Sequence, residues 1–211
     1  MYQKKRKHEI FALVCILGMV FYIAGSKWSS QVQAGDYQEH MAQEILRFHV
    51  IANSDNEEDQ TLKMKVKERV VNYVSSLTQV GDDLESTKYI IQLYMEEIKR
   101  EAERVIAEEG YSYKVKVELT ESYFPVKMYG EAVFPAGVYQ ALKIEIGQAK
   151  GKNWWCVLYP NLCFVDSAYG VLEEDQKEML KAVLTEEEYE SIFQADSKDI
   201  KVSFKLFSDK E

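Results

Sequence analysis

The stretch from Asn153 to Asp166, which reads NWWCVLYPNLCFVD, constrains the fold more than any other part of the chain. Ten of its residues are apolar or aromatic, and they occur in runs instead of alternating with polar residues. Because neighbouring side chains of a strand point to opposite faces, a strand here is apolar on both faces, with Trp154 on one and Trp155 on the other. Such a strand is either covered on both sides or offers one side to a partner, and the sequence leaves both interpretations open.

Cys156 and Cys163 lie in the same stretch and form a possible disulfide. Their geometry depends on the turn between them. A turn centred between Tyr159 and Pro160 places the cysteines opposite each other, whereas a type I turn with Pro160 second, which the residues favour, offsets them by one position. Two free buried thiols are the alternative. An oxidising compartment outside the cytosol permits the bond.

Residues 4–7, close to the N-terminus, are four consecutive basic residues, and an apolar run over residues 10–24 follows. This order is typical of an export signal. As a helix the run is roughly 22 Å long, which is short for a hydrocarbon core of about 30 Å. We therefore predict that residues 1–27 are a cleaved signal peptide or a short membrane anchor and that membrane contact is made only through residues 10–25. The small, polar residues 28–36 are predicted to be a linker.

The remainder, residues 37–211, is predicted to be one exported domain with an acidic balance. The whole chain has 26 basic and 35 acidic residues. Without the first 27 residues, 21 basic and 34 acidic residues remain, which is a net charge of −13. Nucleic acids and anionic lipid surfaces select basic proteins, so we expect no nucleic-acid partner and no polybasic attachment to a membrane.

Hydrophobic periodicity predicts an α+β fold with a mostly antiparallel sheet and two long helices packed on one face, preceded by the N-terminal export or anchor helix. The predicted elements are, in order, a strand over 45–52, a helix whose buried face runs from Leu62 to Leu77, a helix over 86–109, strands over 115–119 and 138–146 with a hairpin around 128–130 between them, the tryptophan-containing strand, helices over 173–184 and 186–193, and a last strand over 200–206.

Arg47, His49, Asn53 and Asp55 form a polar set where the first strand runs into the first long helix. That position binds anions in many proteins through free backbone N–H groups at the helix start. The alternative is that Arg47 and His49 cover the sheet, while residues 53–55 make the turn and Ser54 or Asp55 caps the helix in a capping box. We take the four residues as second-choice candidates for partner binding.

Motifs for catalysis are not apparent in the sequence. It has no HExxH, CxxC, GxSxG or glycine-rich phosphate loop. His49 with Asp55 and Asp59 could in principle hold a metal, but the sequence does not show which face of the strand His49 is on, and Asp55 already has a capping role. We therefore expect no catalytic residues, no metal and no cofactor, and a protein that is not an enzyme. The alternatives are a cell-envelope hydrolase that uses the His49 and Asp55 end, or a wall-glycan-binding module.

Two segments resemble the stage II sporulation protein R family of endospore-forming bacteria. They are RFHVIANSDNEEDQTLKMKVKERV (residues 47–70) and FPAGVYQALKIEIGQAKGKNWWCVLYPNLCFVD (residues 134–166). The short N-terminal export segment agrees with that family. One departure is visible, because Tyr159-Pro160-Asn161 stands where the family has an aromatic residue followed by two prolines.

The resemblance implies a signalling protein that is exported from the forespore into the space between the two membranes of the sporulating cell. There, members of the family activate a membrane-bound aspartic protease of the mother cell, which then removes the pro-sequence of a sigma factor precursor. For such a ligand we predict that Trp154 and Trp155 are the partner-binding anchors, because aromatic residues dominate interface hot spots.

Overall fold

The computed structural model describes residues 38–78, 83–163 and 171–194. The predicted export segment, the linker and the strand predicted over 200–206 lie outside these ranges. Within them, no helix is both long and apolar enough to cross a membrane. A compact unit begins at Met41, and its architecture is mixed α+β, as the periodicity predicts.

Six helices and six strands occupy the described ranges. In chain order they are α1 (38–44), β1 (Leu46–Ile51), α2 (Glu57–Leu77), α3 (Leu84–Leu93), α4 (Met95–Glu108), β2 (Val115–Phe124), β3 (Lys127–Tyr129), β4 (Ala132–Phe134), β5 (Gly137–Ile146), β6 (Asn153–Tyr159), α5 (Glu174–Val183) and α6 (Glu186–Gln194).

Four of the strands form the main sheet, in the order β2-β5-β1-β6. The pairs β2/β5 and β1/β6 are antiparallel, which confirms the mostly antiparallel sheet. The central pair β1/β5 is parallel, which the sequence pattern did not predict. Parallel neighbours need a long crossover connection, and α2, α3 and α4 lie in the connection between these two strands. β3 and β4 form a separate two-stranded hairpin.

One face of the sheet packs against α2 and α4. The buried residues of α2 include Leu62, Val66, Val70 and Val74, as their helical spacing predicts, and they share a core with Phe48 at the centre of β1.

The helix predicted over 86–109 differs from the prediction, because it is divided at Tyr94 into α3 and α4. Tyr94 has φ −102° and ψ 17°, outside the helical range, and its side chain is exposed instead of lying on the buried face.

The opposite face of the sheet is divided between an apolar half and a charged half. The apolar half, around Ala141 and Val157, is buried together with residues of the β3–β4 hairpin, α5 and α6. The charged half carries a ladder in which Lys143 pairs with Glu118 at 3.3 Å and with Glu145 at 2.6 Å. The expectation of helices on one face therefore holds for the long helices only, because the short C-terminal helices belong to the other core.

Candidate functional site

Trp154 and Trp155 lie on opposite faces of β6, the outermost strand of the described sheet on its β1 side. Trp154 faces the long helices, where its ring meets Phe48 edge-on with centroids 6.1 Å apart and the Nζ of Lys67 lies 4.9 Å above it. Its indole is half-buried. One side of Trp154 therefore belongs to the core, and the rest is accessible.

Trp155 is also half-buried, and it stacks on His49 of the neighbouring strand. The two rings are 4.8 Å apart and inclined by only 4°. Phe124 closes the stack edge-on at 4.7 Å, and Lys127 of β3 lies 6.0 Å from the indole. Neither tryptophan is fully buried or fully exposed, so each acts as scaffold on one side and is available on the other.

Cys156 and Cys163 are joined by a disulfide, with Cα atoms 5.2 Å apart. The Tyr159–Pro160 peptide between them is cis. Asn161 ties this loop to α2, because its side-chain amide donates to Ser75 Oγ at 3.2 Å. The disulfide and the hydrogen bond of Asn161 together fix the end of β6, next to the tryptophans, against α2.

His49 is a buried, neutral imidazole. It is 4% exposed, and its Nδ1 donates to Asn153 Oδ1 at 3.2 Å, since an amide oxygen only accepts. Burial, with smaller contributions from Lys143 and Arg47, lowers the pKa of His49 to about 4. Nε2 has no hydrogen-bond partner among the described residues. The histidine is thus held in one orientation by its stacking partner and by Asn153.

The depressed pKa of His49 predicts acid sensitivity. The group is neutral when folded and protonates near pH 6.5 when unfolded, so its stabilising effect is present above pH 6.5 and is lost as the pH falls towards 4. We expect the free energy of unfolding to fall by about 2 kcal/mol from this group between pH 7 and pH 5. Urea unfolding at both pH values measures it. His49→Phe, which cannot titrate, should lose that part of the difference, and an unchanged difference would contradict the assignment.

Arg47 is fully buried beneath the β3–β4 hairpin. Its guanidinium carbon lies 4.5 Å from the ring centre of Phe124, 5.0 Å from Tyr139, 5.5 Å from Phe134 and 5.7 Å from Tyr129. One nitrogen, Nη2, donates to the hydroxyl of Tyr129 at 3.3 Å. Burial lowers the pKa of Arg47, although an arginine remains protonated in proteins. We call these four rings the aromatic box.

Asn53 and Ser54 are engaged inside the chain. Both donate to Oδ2 of the buried Asp59, at 2.8 Å and 2.6 Å. Burial by itself raises the pKa of Asp59, but hydrogen bonds from Ser54, Asn53 and Tyr113 outweigh it and bring the pKa below its ordinary value. Asp59 therefore holds the loop between β1 and α2 as an ionised carboxylate.

The same loop is locked to the turn between β5 and β6. Asn53 Oδ1 accepts from the backbone N–H of Gln148 at 2.9 Å, and Asp55 Oδ1 accepts from that of Lys152 at 2.6 Å. The expected cap is corrected, because Asn56 is the N-cap residue of α2 and accepts from the Asp59 N–H, while Ser54 and Asp55 have the other roles just described. Asn53 and Asp55 thus have structural bonds in addition to their predicted role in partner binding.

A hydrolase or a metal site at this position would use His49 and Asp55, and both side chains already have hydrogen-bond partners. His49 Nδ1 bonds to Asn153, whereas Asp55 bonds to a backbone N–H. Among the described residues, no group of three or more His, Cys, Asp and Glu side chains could hold a metal ion. The four candidate residues therefore fall into two groups. Arg47 and His49 are buried on the sheet, whereas Asn53 and Asp55 hold the loop between β1 and α2 against the turn between β5 and β6.

Sequence reasoning missed the aromatic box and Asn153. The available signal was the alternation of Arg47 and His49 with the apolar residues of β1, which places both on one face. Five aromatic residues also fall in the short segment 123–139, and four of them form the box. Nothing in spacing alone indicated that the rings converge on one side chain.

The comparisons with known proteins identify the family. A family model described as stage II sporulation protein R (spore_II_R) matches residues 42–169. The chain belongs to the stage II sporulation protein R family. The matched range contains all six candidate partner-binding residues and both bonded cysteines. Membership confirms the resemblance and supports a role in sporulation.

A curated relative, stage II sporulation protein R of Bacillus subtilis (strain 168), is 36% identical over 140 residues. The alignment covers 65% of this chain and 62% of the relative, so the chain spans somewhat less than two thirds of that protein. No solved structure matches.

Proposed function

We propose that this chain is an exported signalling protein that activates a membrane-bound aspartic protease across the space between forespore and mother cell. The activated protease then processes a sigma factor precursor in the mother cell. Family membership is the observation that carries the proposal. The N-terminal sequence, with basic residues before a short apolar run, supports export. The acidic balance fits a protein ligand better than a nucleic-acid or lipid-surface binder.

Activation by such a ligand requires only differential binding. A ligand shifts an equilibrium by as much as it prefers one state over the other. Moving a protease from about 1% to about 99% active takes a preference of roughly 10⁴-fold. A domain with rigid aromatic anchors supplies this without chemistry of its own, which is why the proposal needs no catalytic residue.

Trp155 is the anchor that we favour. It lies on the outermost strand β6 and is half-exposed, while its inner face is fixed by the His49 stack and its strand end by the Cys156–Cys163 disulfide. A pre-ordered aromatic side chain loses little conformational entropy on binding, so more of its contact energy remains as affinity.

Reconstitution in a non-sporulating bacterial host tests the function. The host carries the protease, the sigma factor precursor and either the full chain, the chain without residues 1–27, or no chain. On immunoblots, the sigma factor precursor should become shorter only in the host that carries the full chain. The chain without residues 1–27 should have no effect, because it stays in the cytoplasm. Processing without the chain, or equal processing by the unexported form, would overturn the proposal.

Replacing Trp155 is expected to weaken activation by roughly 30-fold in the concentration of chain required, which corresponds to a hot spot of about 2 kcal/mol. Trp155→Phe is the matched control, since it keeps a ring on His49, and Trp154→Ala tests the opposite face. Precursor processing and the amount of exported chain are measured together. A Trp155→Ala chain that is exported normally and fully active removes the anchor, and one that fails to fold assigns Trp155 to the scaffold instead.

A further inference from the structure

Arg47 is a buried cation whose hydrogen bonds are mostly unmet. The side chain is fully buried, yet Nε and Nη1 have no partner among the described residues. Among the residues that the structure describes, Arg47 has one side-chain partner, the Tyr129 hydroxyl, to which Nη2 donates. The sheet neighbours of Arg47 are Ala141 and Val157, which carry neither charge nor polar side-chain atoms. An unpaired buried charge is strongly destabilising, so folding alone does not explain an arginine here.

The aromatic box explains how the cation is tolerated but not why it is there. Ring faces attract a guanidinium electrostatically, and four rings lie within 5.7 Å of Arg47. They cannot accept strong hydrogen bonds in the plane of the guanidinium, where Nε and Nη1 donate. A planar anion in that plane supplies those acceptors. One positive charge among apolar rings matches the single charge of a carboxylate better than a phosphate.

The β3–β4 hairpin is the cover of this site. Its strands have three residues each and pair only with each other among the described strands, so a shift of the hairpin would keep the hydrogen bonds of the main sheet. It would break the contacts of Glu131, which pairs with Lys177 at 2.7 Å and accepts from the Leu172 N–H at 2.9 Å. Tyr129 and Phe134 face Arg47, while Met128 between them in the hairpin is 57% exposed and faces away. A partner that contacts Met128 therefore touches the outer side of the cover.

We propose that Arg47 and the aromatic box bind a carboxylate presented by an acidic side chain of a partner protein, which enters when the β3–β4 hairpin shifts. That the partner is the protease rests on the proposed function. The carboxylate site on this chain can be tested without the protease. The unmet hydrogen bonds of Arg47 are then completed in the complex and not in the free protein. The site adds to affinity, because the charge of Arg47 is already desolvated before the partner arrives.

Thermal unfolding of the full chain with small anions tests the site. Melting temperatures are compared in sodium acetate, sodium phosphate and sodium chloride at equal ionic strength. For the natural chain we expect acetate to raise the melting temperature by about 2–4 °C over chloride, with a smaller effect of phosphate. Equal values in acetate and chloride overturn the proposal. A phosphate effect as large as that of acetate overturns the assignment to a carboxylate.

Arg47→Met is the decisive variant, because it keeps an unbranched side chain and removes the charge and the N–H donors. It should be at least as stable as the natural chain in chloride and should lose the acetate response. A variant much less stable in chloride, or one that keeps the response, contradicts the proposal. Arg47→Lys, which keeps the charge without the planar donors, should show a smaller rise of the melting temperature in acetate than the natural chain does. No arm involves the protease, so failure here leaves the proposed function standing.

Discussion

Replacing Gly151 with alanine is expected to destabilise the domain by about 3 kcal/mol. A Cβ at this position would lie 2.1 Å from the carbonyl oxygen of Ser54 and 2.5 Å from its carbonyl carbon. Both are backbone atoms, and the Gly151 N–H donates to the Ala52 carbonyl oxygen at 2.9 Å. The turn between β5 and β6 and the loop between β1 and α2 would have to separate. Urea unfolding measures the loss of free energy.

Gly110→Ala is the matched control. Gly110 ends α4 with φ +82°, and a Cβ there would meet nothing within 4 Å. Only the backbone strain of a left-handed residue remains, which costs about 1 kcal/mol. If Gly151→Ala lowers the free energy of unfolding by no more than Gly110→Ala does, the two loops do not pack as closely as described.

Replacing Asp59 with alanine is expected to cost about 3 kcal/mol, the second large effect. The carboxylate is 2% exposed and accepts from Asn53 and Ser54. Its removal leaves both donors without an acceptor and opens a small cavity beside the start of α2. The loop that carries Asn53 and Asp55 then loses its main anchor. The free energy of unfolding at pH 7 is the measurement.

Asp55→Ala separates the role of Asp55, which lies in the loop, from that of Asp59, which lies in the first turn of α2. Asp55 accepts one exposed backbone N–H, from Lys152, so its loss should cost about 1 kcal/mol. Equal losses for the two variants would contradict the assignment of Asp59 as the anchor. The comparison also bears on partner binding, because Asp55→Ala leaves a stable domain in which activation can be measured.

Local patterns in the sequence predicted most of the elements. The strand at residues 45–52, the buried face of α2 and the two short C-terminal helices follow from hydrophobic spacing of one element at a time. The break at Tyr94 could not be predicted, because apolar residues continue at helical spacing on both sides of it. The parallel pairing of β1 and β5 depends on which strands meet in space, and periodicity within a strand carries no such information.

The sequence predicted only those parts of the candidate site that follow from the pattern of a single strand. The alternation in β1 places Arg47 and His49 on one face, and Trp154 and Trp155 follow from the pattern of β6. The aromatic box joins side chains of β2, β3, β4 and β5, so it exists only once the chain has folded. The bond of Asn53 to Gln148 likewise joins segments 95 residues apart. Long-range contacts of this kind decided the structural roles of residues that looked available in the sequence.

The protease lies in the membrane of one cell, and we propose that the exported chain activates the protease from outside that cell. The most direct test of this proposal adds culture medium containing the exported chain to protoplasts that carry the protease and the sigma factor precursor. The account predicts that the precursor shortens on immunoblots in proportion to the added chain, and that medium containing Trp155→Ala protein at the same concentration is much less effective. A precursor that keeps its full length at every concentration would contradict it.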